Sequence, residues 1–167
     1  RAGTLNNPNG KADVVLHGLT ANGHFGYSVS SAGDFNGDGL DDVIVGSWGN
    51  NANGTNSGSA YIYFGRPNPI TLPTPDFIFE GSSPYKLFGF SVASAGDFNG
   101  DGLDDVIIGS TWDSGNGPFA GSASVFLGRT SGTNTTPIWT VYGKRKDRLG
   151  FSVSSAGDFN GDGWDDV

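Results

Sequence analysis

The stretch Asp34-Phe35-Asn36-Gly37-Asp38-Gly39-Leu40-Asp41-Asp42 occurs three times in this chain, with further copies at 97–105 and 158–166. Every copy reads D-F-N-G-D-G-x-D-D, with oxygen-bearing side chains at loop positions one, three, five and nine and glycine at position six. Calcium takes about six to eight oxygen ligands, and a short backbone supplies them only where it turns sharply. Glycine makes such a turn without steric cost. The repeated stretch therefore predicts three loops that bind a hard divalent cation, which we expect to be Ca²⁺.

The acidity of the chain is concentrated in these loops. The 167 residues carry a formal net charge of −8, and 12 of the 17 acidic residues lie in the three copies. Outside the loops, the 9 basic residues outnumber the remaining acidic ones. The charge therefore reflects local metal chemistry rather than a field that steers a basic partner. Without a broad basic surface, nucleic-acid binding is not expected.

Other features of the composition exclude several functional classes. The chain has no Cys, which excludes a disulfide framework and a thiolate metal site. Its two His have no plausible nucleophile partner and most Asp belong to the loops, so we do not expect an enzyme. No apolar run approaches the ~20 residues needed to insert across a membrane. Loops of this kind fill at the ~10⁻⁴–10⁻³ M calcium typical of extracellular modules, which favours an extracellular or cell-surface location.

A longer repeat surrounds the loops, whose first residues are 63 and 61 positions apart. Each unit contains short β-branched or aromatic runs separated by Gly, Asn or Pro, which is typical of short strands joined by tight turns. Four antiparallel strands in a repeat of this length predict an all-β fold built of β-propeller blades. The predicted units are an N-terminal segment at 1–12, a closing strand at 13–18, blades at 25–81 and 88–143, and a partial blade at 149–167.

Three motifs in a fixed order resemble the FG-GAP repeats of integrin α-subunit propellers and their bacterial relatives. They are Phe25-Gly26 before the loop, D-x-N-x-D-G-x-x-D within it and Gly58-Ser59-Ala60 after it. The resemblance covers roughly residues 13–167. Propellers of that family usually have about seven blades, so the resemblance implies a fragment of a longer protein or copies that associate to complete a ring. The strand at 13–18 would then help to close the ring.

The resemblance also implies a ligand set for each loop, with side-chain oxygens from four positions and a backbone carbonyl from position seven. The implied ligands are Asp34, Asn36, Asp38, Leu40 and Asp42; Asp97, Asn99, Asp101, Leu103 and Asp105; and Asp158, Asn160, Asp162, Trp164 and Asp166. The aspartate at position eight is expected to stay outside the direct ligand set or to face solvent. An EF-hand is not expected, because position twelve is Val45 or Ile108 instead of Glu. The third site would bind weakly if no strand follows Val167.

Alternating strand direction places the loops between strands two and three at the end of a blade opposite the acidic loops. This end carries Trp48 and Trp112, our candidate ligand face, because binding residues concentrate on loops of a rigid scaffold. These tryptophans could also simply cap the blade edges. The resemblance implies a module for protein or matrix recognition in adhesion. The alternatives are a carbohydrate-binding propeller and a propeller that accompanies a hydrolase outside this chain.

Overall fold

The computed structural model describes residues 14–66, 74–132 and 135–167. These residues form eight β-strands and no helix. The strands are β1 (Ser28–Gly33), β2 (Asp42–Ser47), β3 (Ser59–Tyr63), β4 (Phe77–Glu80), β5 (Phe88–Gly96), β6 (Asp105–Ser110), β7 (Ser122–Phe126) and β8 (Trp139–Tyr142). They form two antiparallel sheets, in the orders β1-β2-β3-β4 and β5-β6-β7-β8. The predicted all-β fold with two blades of four strands is confirmed.

The middle strands of each blade are its most buried elements. Every residue of β3, β6 and β7 is buried, and β2 exposes only Val43. These strands are rich in β-branched and aromatic residues, which suit a pleated sheet that is covered on both faces. Ile44 of β2 lies opposite Ile62 of β3, and Ile107 of β6 lies opposite Val125 of β7. The sequence of each blade therefore requires cover from a neighbouring element on both sides.

The main hydrophobic core lies between the two blades. It is formed by Ala32, Phe35, Ile44, Ala60, Ile62 and Phe79 of the first repeat together with Phe88, Val92, Val106, Ile108 and Phe126 of the second. The rings of Phe79 and Phe126 lie 4.7 Å apart between centroids. One blade thus supplies the cover that the other needs, as expected for stacked repeats.

Both acidic loops that join the first two strands of a blade begin at a glycine bulge. The register between β1 and β2 shifts between Ser31 and Gly33, and Gly33 has a φ of 63°. The same shift occurs between Ser94 and Gly96, where the φ of Gly96 is 66°. A glycine in the left-handed region is the usual way to insert such a residue. The bulge turns the chain out of the sheet and into the loop.

The predicted strands at the two ends are not formed among the described residues. The segment at 1–12 and Asp13 lie outside the described residues, and residues 14–18 belong to no strand. Residues 149–167 make only isolated bridges, from Leu149 to Gly121 and from Asp166 to Gly157. A strand needs a partner that supplies ladder hydrogen bonds, and no described strand pairs with either segment. The role of residues 13–18 in closing a ring stays a prediction.

Candidate functional site

The three acidic loops share one hydrogen-bond pattern. The position-five N–H donates to the position-one carboxylate at 2.9, 2.9 and 3.0 Å in the first, second and third loops. The position-six N–H donates to the other oxygen of the same carboxylate at 2.9, 2.9 and 3.0 Å. The side chains of positions three and five accept the N–H groups of positions five and seven. These local bonds draw the oxygen-bearing side chains towards the inside of each turn.

The last aspartate of each of the first two loops joins that loop to the connection after the third strand of the same blade. Asp42 Oδ1 accepts the N–H of Gly65 at 2.8 Å, and Asp105 Oδ1 accepts the N–H of Gly128 at 2.7 Å. Both glycines follow the third strand of their blade. Asp42 and Asp105 are 1% and 0% exposed. Each buried carboxylate therefore links the acidic loop to the connection after the third strand.

These two buried carboxylates lie in a site that disfavours their charge. Burial raises the pKa of Asp42 to about 6, with further increases from Asp38 and Asp34 and an opposing effect of the Gly65 N–H. Burial likewise raises the pKa of Asp105 to about 6, and the Gly128 N–H opposes it while Asp101 raises it. Negative neighbours raise the pKa of a carboxyl group because they disfavour its charged form, and a cation beside the group would lower that pKa.

The donor chemistry of the first loop fits a hard cation. Asp42 Oδ2 is buried and has no hydrogen-bond partner among the described residues. The Asn36 N–H lies close enough to lower the pKa of Asp42 but makes no hydrogen bond of normal geometry. A carboxylate oxygen that accepts one N–H keeps a lone pair for a second partner. Asp34 and Asp38 therefore retain acceptor capacity for an ion.

The loops are not, however, arranged as a closed cage. No group of three or more His, Cys, Asp or Glu side chains within 14–66, 74–132 and 135–167 has metal-ligand spacing. In the first loop the Asp38 carboxylate accepts the Leu40 N–H at 2.9 Å and the Asn36 side-chain amide at 3.0 Å. Two of the five implied ligands in each loop are of another kind, the amide oxygen at position three and the backbone carbonyl oxygen at position seven. Calcium binding by the fifteen implied ligands remains a prediction.

The third loop has the same turn but different surroundings. Asp158, Asn160, Asp162 and Trp164 are exposed, and Asp166 is only half-buried. The Asp166 carboxylate accepts the N–H groups of Phe159 and Asn160 at 3.0 and 3.2 Å, within the loop itself. Phe159 is 84% exposed, whereas Phe35 at the same loop position is fully buried. The turn therefore forms without a covering neighbour, but the burial does not.

The aspartate at position eight differs between the loops. Asp41 is exposed, in agreement with the expectation that the position-eight aspartate would stay outside the direct ligand set or face solvent. Asp104 and Asp165 are half-buried, and each accepts the backbone N–H of the first residue of the preceding loop. Sequence reasoning missed this contact between repeats. The signal that could have found it is the Gly-Asp pair at 33–34, 96–97 and 157–158, together with an aspartate at position eight in every copy.

The candidate ligand face contains one cavity that both tryptophans line. The cavity has a volume of about 400 Å³, and Trp48, Trp112, Phe90, Arg148 and Phe151 are among its lining residues. Trp48 stacks on His24 with ring centroids 4.0 Å apart, and Trp112 is 39% exposed. Sequence reasoning did not include Phe90 and Phe151, although each is the aromatic residue after the Phe-Gly or Leu-Gly of its repeat. No membrane-spanning helix is found in the part of the chain that the structure describes.

Comparison with known proteins gives consistent matches. A family model described as FG-GAP-like repeat matches residues 34–108 and 97–167. Integrin alpha-5 of Xenopus laevis is 31% identical over 159 residues, which cover 86% of this chain and 14% of the relative. Integrin alpha-IIb of Mus musculus is 30% identical over 159 residues, covering 91% and 15%. Integrin alpha pat-2 of Caenorhabditis elegans is 36% identical over 127 residues, covering 73% and 9%. The chain spans less than a sixth of each relative.

Proposed function

Because this chain belongs to the FG-GAP-like repeat family, we propose that it is an integrin-like propeller module that calcium stabilises and that recognises a protein partner in adhesion. The observation that carries the calcium part of this proposal is the loop hydrogen-bond pattern, which is the same in three loops with different burial. A pattern that does not depend on its surroundings is encoded by the loop sequence itself. Its outcome is a turn lined with oxygen atoms, which is what a hard cation requires.

The ligands in this proposal are the side chains at positions one, three, five and nine and the carbonyl at position seven. Bound calcium would supply the positive charge that the converging carboxylates lack. In the first loop, Asp42 links the loop to Gly65 by a hydrogen bond, and Asp34 directly follows the bulge at Gly33. The ligands thus come from both ends of the connection between β1 and β2. Calcium would hold these two strands together, so its role is structural and the module is not a catalyst.

Chelation tests the calcium role. Removing calcium with EDTA should lower the melting temperature followed by circular dichroism, and added calcium should restore it. At a free concentration of about 100 times the dissociation constant, each site contributes about 2.7 kcal/mol of stability. Added magnesium is the control, because it demands a smaller octahedral site and should restore less. An identical melt with calcium and with EDTA would refute the structural role.

For partner recognition, the cavity beside Trp48 and Trp112 is the supporting feature. Half-exposed aromatic side chains next to a guanidinium provide contact area and a donor, which are common at protein interfaces. Binding can be measured on an array of extracellular-matrix and cell-surface proteins. Trp112→Ala should weaken any interaction found there, whereas Trp139→Ala is a matched control, since Trp139 is 40% exposed and lies outside this cavity. Equal losses for both variants would refute this location.

Carbohydrate binding is the second candidate, because the same cavity has the size and aromatic lining that suit a sugar ring. A glycan array separates the two candidates. Binding to glycans that Trp112→Ala abolishes, without any protein interaction, would replace adhesion to a protein with lectin activity.

We also propose an extracellular or cell-surface location, where calcium is abundant enough to fill such loops. For completion of a ring, the two alternatives are a fragment of a longer protein and copies of this chain that associate. A multimer in a solution mass measurement would support association, and a monomer would support a fragment.

A further inference from the structure

Two contacts between neighbouring repeats involve the aspartate at position eight of the acidic loop. Asp104 Oδ2, in the second loop, accepts the backbone N–H of Asp34 at 2.7 Å. Asp165 Oδ2, in the third loop, accepts the backbone N–H of Asp97 at 3.0 Å. Both acceptors lie in the repeat that follows the donor. The same contact at two successive junctions indicates a regular feature of the way these repeats stack.

The bulge glycine provides the space for this contact. A β-carbon at Gly33 would overlap the carboxylate of Asp104, and a β-carbon at Gly96 would overlap that of Asp165. Two backbone hydrogen bonds support the first junction, from Asp104 N–H to the Asp34 carbonyl at 3.3 Å and from the Arg129 N–H to the Phe35 carbonyl at 2.7 Å. The first two residues of the first loop are therefore held by the second repeat.

The same contact is missing at the two ends of the described repeats, where an acidic loop has no neighbouring loop on one side. Asp41 is exposed, and its side chain makes no hydrogen bond to the described residues. At the other end, no described residue accepts a hydrogen bond from the Asp158 backbone N–H, and no atom within contact distance would crowd a β-carbon at Gly157. Asp41 and Asp104 thus share the same loop position and the same local sequence, and they differ in whether a preceding loop lies beside them.

We propose that Asp104 and Asp165 are positioning residues, each of which holds the preceding loop in its cation-binding form. The inference rests on the proposed calcium function. A hydrogen bond to an ionised carboxylate is stronger than one between neutral groups, so Asp104 fixes the backbone of Asp34, the first ligand of its loop. By reciprocity, calcium in one loop strengthens the docking of the next repeat.

A calcium titration of the whole ¹⁵N-labelled chain tests this inference site by site. The amide signals of Gly39 and Gly102, each at position six, report the first and second loops separately. Asp104→Ala should weaken calcium binding about tenfold at Gly39, in the preceding loop, and leave Gly102 nearly unchanged. Asp165→Ala should give the reverse pattern. Asp104→Asn, which keeps an acceptor oxygen, should recover most of the affinity. Asp41→Ala is the matched control and should affect neither signal strongly.

The outcomes separate this inference from the proposed function. If Gly39 and Gly102 in the unmodified chain do not respond to calcium, both the function and the inference are wrong. If they respond normally but Asp104→Ala leaves Gly39 unchanged, or weakens both loops equally, only the inference is wrong. If Asp104→Ala does not fold, Asp165→Ala gives the same test at the second junction, where the signal of Gly102 should weaken and that of Gly39 should stay nearly unchanged. A readout without calcium is the melting temperature in EDTA, which Asp104→Ala should lower more than Asp41→Ala.

Discussion

The first two acidic loops and the third have the same turn, but they differ in almost everything outside it. Asp42 and Asp105 are buried and bonded to the connection after the third strand, whereas Asp166 is half-buried and bonded only within its own loop. Phe35 is buried between the blades, and Phe159 is exposed. The comparison separates two levels of organisation. The nine-residue sequence determines the turn, and the neighbouring repeat determines how far the turn is buried and held in place.

The largest difference is expected at loop position two. Phe35→Ala would remove a fully buried ring from the core between the blades and should destabilise the protein by about 3–5 kcal/mol. Phe159→Ala changes a ring that is 84% exposed and should stay within about 0.5 kcal/mol. Urea denaturation in saturating calcium measures both changes. Similar losses for the two variants would show that the third loop is covered in solution, contrary to the comparison.

The next difference is expected at loop position nine. Asp105→Ala would leave the N–H groups of Gly128 and Phe98 without their acceptor and remove an implied calcium ligand. Each buried donor without a partner costs about 1–3 kcal/mol, so we expect a loss of about 2–4 kcal/mol in saturating calcium. Asp166→Ala should cost less than about 1 kcal/mol, because the donors that it leaves are exposed. Equal costs in urea denaturation would contradict a dependence on burial.

A smaller effect is expected in the pH dependence of stability. Here Asp105 can be compared with Asp113, a carboxylate that is paired with the ammonium group of Lys86. Burial raises the pKa of Asp113, but hydrogen bonds from Ser122, Gly115 and Lys86 outweigh it and hold the pKa below its ordinary value of 3.8. The Lys86 ammonium lies 3.0 Å away. A lowered pKa means that the stabilisation is present above the unfolded-state pKa and is lost as pH falls through the folded-state pKa.

Asp113→Asn should therefore destabilise the protein by about 1 kcal/mol at neutral pH, and the loss should shrink as the pH falls below about 4. Unfolding measured with urea in EDTA at several pH values gives this profile. A loss that stays constant with pH would mean that the Asp113 charge does not stabilise the fold. Asp105 should show the opposite pH dependence without calcium, because burial, with smaller contributions from Asp101 and Asp97, raises its pKa to about 6 against the opposing N–H groups of Gly128 and Phe98. Its contribution to stability is then present at low pH and is lost as the pH rises through about 6.

The sequence predicted the parts of the structure that depend on local chemistry. The four strand runs of each blade and the turn of the D-F-N-G-D-G-x-D-D loop follow from residues close together in the chain, such as Gly39 and Asp34. The contact of Asp104 with Asp34 was not predicted, because residues 70 positions apart meet only through the stacking of the blades. The shared cavity was missed for a similar reason. Trp48 and Trp112 do not occupy equivalent positions in the repeats, and their approach depends on the junction.

The predicted strands at the two ends of the chain show how far strand formation depends on a neighbour. The runs at 14–18 and 151–154 contain the β-branched or aromatic residues typical of strands but form none among the described residues. Leu16 packs against the cluster of Val45, Tyr61 and Tyr63 without joining the sheet. Strand propensity is weak without a partner strand, since most of its benefit comes from cross-strand pairs and burial. The pattern of a run therefore shows its capacity to pair, and the neighbour decides whether it does.

The most direct test of the account is the number of calcium ions bound per chain at increasing free calcium, measured by equilibrium dialysis and elemental analysis. We expect two ions to bind at lower calcium, in the loops that the next repeat holds, and a third only at higher calcium. Asp158→Ala should remove only the weaker phase. No bound calcium at millimolar concentration, or three ions with a single affinity, would contradict the account.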